Sequence, residues 1–297
     1  MGVFLVLLGG IFWAISGVLA EYLFKNNYSV DWVCFYRLLS TGLILIFLSF
    51  KAQKILVFTN LKESLSICMF GFFGLLLTQF GYFKAIYYTD AGTATMIQYC
   101  APLIIMLYLC FKNKKFPKLI EIFALILIIF ALILIIFALF LLATKGDIEA
   151  VVLNYWGIFW AVIGAFGVAF YSLSAREVIL KYGLFWIMGW ASLFASFVFL
   201  LILQFDKGLI HYAFNLKAFF SMGGIVFIGT IGAFCLYLKG VEYIGALRAS
   251  MIASIEPVAA ALMSFLFLKT RYSLLDIFAF VLIILSVILN AKKTKAS

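Results

Sequence analysis

Shifted by 155 residues, this chain matches itself, and the match runs without a gap from Phe80–Pro102 against Cys235–Pro257. Tyr82 falls on Tyr237, Lys84 on Lys239, Tyr88 on Tyr243, Met96 on Met251 and Pro102 on Pro257. The same offset lays Gly2, Phe4 and Gly9 on Gly157, Phe159 and Gly164, and Glu121-Ile-Phe-Ala on Asp276-Ile-Phe-Ala. Two copies of one unit, 1–147 and 153–297, therefore build the chain, and whatever fold it takes must accommodate the pair.

Each copy is a series of long apolar runs. With 67% hydrophobic and 11% charged residues and a mean hydropathy of +1.21, a water-facing surface cannot be assembled. A crossing needs about 20 apolar residues. The runs then predict ten spans, near 3–23, 32–50, 64–87, 92–111, 119–143, 155–175, 185–204, 219–243, 247–268 and 273–290. Five spans per copy is an odd number, so the second copy enters the membrane upside down relative to the first. The expected fold is an all-α membrane protein of ten transmembrane helices in two inverted five-helix repeats. The first run has no basic leader and no small-residue cleavage site, so it is expected to be a retained span.

Loop charge sets the expected orientation. With the amino terminus in the cytoplasm, twelve basic residues lie inside, from Lys51, Lys54 and Lys62 to Lys112, Lys114, Lys115, Lys118, Arg176, Lys181, Lys292, Lys293 and Lys295. Six lie outside: Lys25, Lys145, Lys207, Lys217, Lys269 and Arg271. Both termini are accordingly expected in the cytoplasm of a bacterial cell. The net charge of +10 reads as topology and contact with anionic lipid, with no nucleic-acid pattern.

Several stretches resemble the EamA-type branch of the drug/metabolite transporter superfamily: Phe12-Trp-Ala-Ile-Ser-Gly17, Tyr36-Arg-Leu-Leu-Ser-Thr-Gly42, Gln98-Tyr-Cys-Ala-Pro102 and Ser254-Ile-Glu-Pro257. The resemblance covers nearly the whole chain. It implies a ten-helix carrier of two inverted repeats that, like most characterised members, moves an amino acid or another small metabolite outward. This chain departs from the pattern where Ala124–Phe130 is repeated as Ala131–Phe137. Seven residues add about 10 Å of helix and about 20° of rotation, so the face is kept. The addition is either absorbed by tilt or serves as an oligomer contact.

The chemistry of such a chain lies in the polar groups its spans bury, because a charge at mid-membrane costs about 2.5–3.5 kcal/mol even on insertion scales. Glu256 stands near the middle of the ninth span beside Pro257, which has no N–H to give Ala253. Pro102 frees the carbonyl of Gln98 in the same way, and Gln98 and Tyr99 bring polar side chains to that break. Glu256 is either a proton-coupling group or a hydrogen-bonded packing residue. Lys84 and Lys239 either snorkel to the headgroups or attract an anionic substrate at the two mouths. Arg37 is a ligand for a carboxylate or an interfacial residue, with Glu21 as its expected partner. Tyr82, Tyr88, Tyr237 and Tyr243 are candidate wall residues; Tyr171, Trp13 and Trp190 lie nearby. Gly10, Ala14, Gly17, Gly229, Gly232 and Ala233 permit close packing or sliding.

Other chemistry finds no motif. Cys34, Cys68, Cys100, Cys110 and Cys235 have no metal or redox spacing, and His211 has no second histidine. No phosphate-binding loop, nucleotide fingerprint or nucleophile motif is present, so neither a cofactor nor an enzymatic reaction is expected. The reading that best fits is a secondary transporter exporting a small organic metabolite by alternating access, with a proton gradient as the candidate drive. An importer or exchanger of anionic solutes is the alternative within transport. An intramembrane enzyme or lipid-handling protein is the alternative outside it.

Overall fold

The computed structural model describes residues 1–49, 60–89, 91–144, 154–203, 215–268 and 274–291. Among these residues every regular element is helical. They form ten rods: α1 (Gly2–Lys25), α2 (Val30–Ser49), α3 (Leu61–Tyr88), α4 (Ala91–Gln98, then Ala101–Asn113), α5 (Leu119–Thr144), α6 (Tyr155–Tyr182), α7 (Leu184–Leu203), α8 (Leu216–Ile244), α9 (Ala246–Ala253, then Ile255–Leu268) and α10 (Leu274–Ala291). On their described residues, α1, α2, α3, α6, α7, α8 and α9 are long and apolar enough to cross a bilayer; the described runs of α4, α5 and α10 are shorter. Outward faces carry exposed Phe47, Phe111, Phe219 and Phe220. Lipid accepts such a surface and water does not. The chain is an integral membrane protein.

The local reasons for these rods recur at the same offset. Asn60 and Asn215, 155 apart, cap α3 and α8: their side chains accept from the backbone N–H groups of Lys62 (3.1 Å) and Ala218 (2.8 Å). Both rods then widen to π-helix, at Phe70–Leu76 in α3 and at Ile225–Gly232 in α8. Both α4 and α9 break just after the carbonyl that their proline frees, at Tyr99–Cys100 after Gln98 and at Ser254 after Ala253. Each interruption falls in the turn before the proline whose N–H is missing, Pro102 in α4 and Pro257 in α9. The α6 rod runs to Tyr182, well past the predicted end at 175, and Gly183 closes it with φ +83°.

Packing pairs the two halves rod by rod. α1 lies along α8 and α3 along α6, two pairs that the 155-residue shift exchanges, while α2 packs on α7 and α5 on α10. Backbones approach closely in these pairs. A Cβ added to Gly81 of α3 would lie 2.7 Å from the Gly164 nitrogen and 2.8 Å from the Trp160 carbonyl oxygen. In α1, Gly9 faces the Ala233 carbonyl and the Tyr237 nitrogen of α8 in the equivalent way. With lipid tails as apolar as leucine, such close van der Waals contact is what holds membrane helices together. Hydrogen bonds add to it at α5 and α10, where Ser286 Oγ donates to the Ala124 carbonyl (3.0 Å). Arg248 of α9 closes the end of α10 by donating to the carbonyls of Asn290 and Ala291. The repeated heptad continues α5 as helix, but most of its second copy's side chains, like Lys145, His211, Lys269 and Arg271, lie outside the described residues.

Gly81→Ala should lower apparent stability by about 1–3 kcal/mol, because the new methyl meets backbone that cannot turn aside. Gly223→Ala, where nothing lies within 4 Å, should leave stability unchanged or slightly raised. Thermal or denaturant midpoints in detergent check the pair, and equal midpoints would show that the α3–α6 contact is not tight.

Candidate functional site

The breaks of α4 and α9 meet each other. Pro257 cannot donate to the Ala253 carbonyl, and an unpaired carbonyl inside a membrane protein costs several kcal/mol by the order of magnitude expected for lost hydrogen bonds. Tyr99, at the break of α4, supplies the donor: its hydroxyl reaches the Ala253 carbonyl oxygen at 2.6 Å. The same hydroxyl lies 2.9 Å from Oε2 of Glu256, which begins the second piece of α9 and is 7% exposed. Tyr82 of α3 donates to Oε1 at 3.4 Å and shares a 2.8 Å hydrogen bond with Thr95 Oγ1.

Counting hydrogens ties these two contacts together. A tyrosine hydroxyl has one hydrogen to give. When Tyr99 gives it to the Ala253 carbonyl, the contact to Oε2 is a hydrogen bond only if Glu256 carries a proton and donates it to the phenolic oxygen. When Glu256 is ionised, Tyr99 turns its hydrogen to the carboxylate and the carbonyl at the break loses its donor. The proton on Glu256 and the hydrogen bonding of the α9 break are thus tied through one side chain.

The repeat partners Tyr82 and Tyr237 sit in unlike surroundings. The Tyr237 hydroxyl is held by Ser172 Oγ at 2.9 Å. At the position equivalent to Ser172 the first half has Gly17, and a Cβ there would already approach the Tyr82 hydroxyl to 3.2 Å. Lacking that serine, Tyr82 turns to Thr95 and Glu256. Symmetry of sequence therefore does not extend to symmetry of role.

Arg37 of α2 is 3% exposed. Its Nε donates to Thr230 Oγ1 at 3.0 Å, and Thr230 in turn donates to the Ile225 carbonyl (2.8 Å) within the π segment of α8. The guanidinium carbon stands 4.6 Å from the centre of the Phe83 ring. The expected partner Glu21 is elsewhere: it pairs with Lys25 on its own helix at 2.7 Å, the i,i+4 neighbour being closer than a side chain on α2. Arg37 has no carboxylate partner among the described residues.

These groups face one cavity of about 620 Å³, counting the space at its opening, lined by both halves of the chain. Arg37, Tyr82, Gln98, Tyr99, Pro102, Tyr237 and Glu256 all line it. Trp13, Phe83, Tyr171 and Phe234 form aromatic wall, with Trp13 5.1 Å from Phe234 and 5.0 Å from Tyr237 between ring centres. Ser16, Thr78 and Gln79 line it too, although the sequence pattern does not single out Thr78 or Gln79. Each is a lone polar residue whose counterpart in the other half is Tyr171, Ala233 or Phe234, so repetition could not flag it; isolation in an apolar run could.

The lysines stay outside the cavity. Lys84 pairs with Asp31 at 2.9 Å and lies over the Phe80 ring, and Lys239 pairs with Glu242 at 2.7 Å and lies over the Tyr243 ring. Each charge is met by a neighbouring carboxylate. Tyr88 and Tyr243, a repeat pair of their own, are exposed and do not line the cavity either, unlike Tyr82 and Tyr237. Pro257 acts through the carbonyl it frees and is not part of the wall. Among the described residues no three His, Cys, Asp or Glu gather to hold a metal ion.

Tyr99→Phe keeps the ring and removes both hydroxyl contacts. It should destabilise the protein by about 1–3 kcal/mol, the cost of leaving buried acceptors unpaired. Tyr88→Phe, at an exposed tyrosine, should be neutral. Unfolding midpoints of the two variants read the difference.

Comparison with known proteins agrees with this architecture. A solved crystal structure, described only as that of a protein, superposes over 97% of this chain and 96% of its own with a TM-score of 0.75 at 14% identity, which establishes likeness of fold. A Salmonella typhimurium protein, described as the uncharacterized inner membrane transporter YicL, is 32% identical over 291 residues, covering 97% of this chain and 94% of that one. The profile of the EamA-like transporter family matches twice, at residues 1–137 and 155–291. The chain belongs to the EamA-like transporter family.

Proposed function

We propose that the protein is a secondary transporter that moves a small organic metabolite, such as an amino acid, outward by alternating access, using the proton gradient. The observation that carries this reading is a cavity at the meeting point of two broken helices, lined from both halves and containing one buried carboxyl group. A group that gains and loses a proton in a cavity open to alternate sides can couple a gradient to a conformational change, provided its two forms favour different conformations. The Tyr99 hydrogen supplies that difference, because each protonation state of Glu256 leaves the α9 break differently bonded. Paired access requires two halves that can rock against one another. The exchange of α1–α8 for α3–α6 contacts under the repeat shift supports units 1–147 and 153–297 related by inversion in the membrane. The inner-membrane description of YicL supports placement in a bacterial plasma membrane, and loop charge supports cytoplasmic termini.

Glu256→Gln imitates the protonated carboxyl at nearly constant volume. It should fold, keep some solute exchange and lose accumulation driven by a pH gradient in proteoliposomes. A variant that keeps the parent's pH dependence and accumulation would reduce Glu256 to a packing residue. The inverted arrangement has its own measurement. Single cysteines near Lys114 and near Lys145, in a cysteine-free background, should react with an impermeant label from opposite faces, and reaction from one face would exclude inversion.

A further inference from the structure

We infer that the substrate carries a single carboxylate, and that Arg37 and Gln79 are the residues that hold it; the inference rests on the transport reading of this cavity. Arg37 offers five N–H donors in a planar fork. Thr230 takes only the one on Nε, and among the described residues no side chain or carbonyl accepts from the two terminal Nη groups. The remaining contact, with Phe83, is to a ring face and satisfies no donor. A buried guanidinium without a counter-charge is costly, and such a group in a cavity wall is satisfied when a ligand brings the anion.

A second observation points to the same ligand. Gln79 is 2% exposed and lines the cavity, yet neither Oε1 nor Nε2 has a hydrogen-bond partner. Ser16 Oγ and Thr78 Oγ1, also in the wall, are equally unpartnered. Gln79 lies one helical turn before Phe83 on α3, so its amide stands on the side of α3 over which Arg37 is stacked. Buried polar groups are almost always bonded, and a cluster of orphans around one cavity marks where a polar ligand goes.

The charge balance narrows the class. Glu256 makes no ion pair with the guanidinium; its carboxyl oxygens lie against the Tyr82 and Tyr99 hydroxyls instead. One cation is therefore open to one anion, and a phosphate dianion would set its second charge in a cavity that already holds a carboxyl group. The bidentate fork matches a carboxylate, and the aromatic wall suits an apolar or aryl remainder.

The test is ligand-induced thermal stabilisation of the purified full chain in detergent. The probes are small aliphatic and aryl monocarboxylates, each matched with its primary amide. At least one carboxylate should raise the melting temperature at concentrations where its amide does not. Arg37→Gln should weaken that binding by about tenfold to a hundredfold, as expected for loss of a charged hydrogen-bonded pair. Arg37→Lys, which keeps the charge and loses the fork, should fall between, and Gln79→Leu should weaken binding less than Arg37→Gln. If Arg37→Gln does not fold, Arg37→Lys and Gln79→Leu decide. Equal stabilisation by acids and amides, stabilisation by none of the acids, or undiminished binding in the variants that fold would overturn the inference. Flux of the amides without carboxylate binding would leave the transport reading standing and remove this one. Carboxylate binding without flux would remove the transport reading and leave Arg37 and Gln79 as the residues that hold a bound carboxylate.

Discussion

Inside a bilayer every backbone carbonyl must find a donor, and Pro102 and Pro257 each remove one. The structure answers at α9 by reaching across to the other half: the hydroxyl of Tyr99, presented by the break in α4, donates to Ala253. This one bond makes the two breaks neighbours. The cavity beside them is lined from both halves of the chain. Glu256 is carried to the same point because it is adjacent to the proline that creates the vacancy. The ionisable group and the irregular backbone are not independently placed.

The repeat provides scaffold, and departures from it provide chemistry. Glycine contacts, π segments and asparagine caps recur at the 155-residue shift, and all serve packing or rod geometry. The cavity groups do not recur. Glu256 answers to Ala101, Tyr99 to Ser254 and Gln79 to Phe234. Where a pair is retained, as with Tyr82 and Tyr237, one neighbouring difference between Gly17 and Ser172 redirects one hydroxyl. A carrier built of two equal halves needs equal mechanics on both sides, but one bound molecule needs only one set of donors.

Helix positions were legible because a bilayer makes apolar run length a direct readout of span. Gln98, Tyr99, Tyr82 and Glu256 stood out as polar groups in such runs, and the structure places them together. The partners of Lys84 and Lys239 were not legible, because a charge in sequence shows nothing of its partner: Asp31 lies on another rod, and Glu242 is a neighbour that periodicity alone does not weigh. The pairing of Glu21 failed for the complementary reason, since Lys25 sits one turn away. Both π segments were invisible because they leave the apolar pattern intact while changing its phase.

That change of phase has a consequence for Arg37. In the π segment of α8, Thr230 donates to the carbonyl five residues back, at Ile225, which leaves its oxygen free to accept from Arg37 Nε. The equivalent position in α3 is Leu75, which has no hydroxyl and is fully buried in the core. One half therefore uses the widened turn to hold a cation at the cavity wall, whereas the other uses it only to pack. Because α2 and α8 come from different halves, the guanidinium is fixed by a bond between the very parts that alternating access would move. Any relative motion of α2 and α8 must either carry Thr230 and Arg37 together or release the Nε donor to another acceptor. The aromatic face of Phe83, on α3, is the cation's other contact, from a third rod.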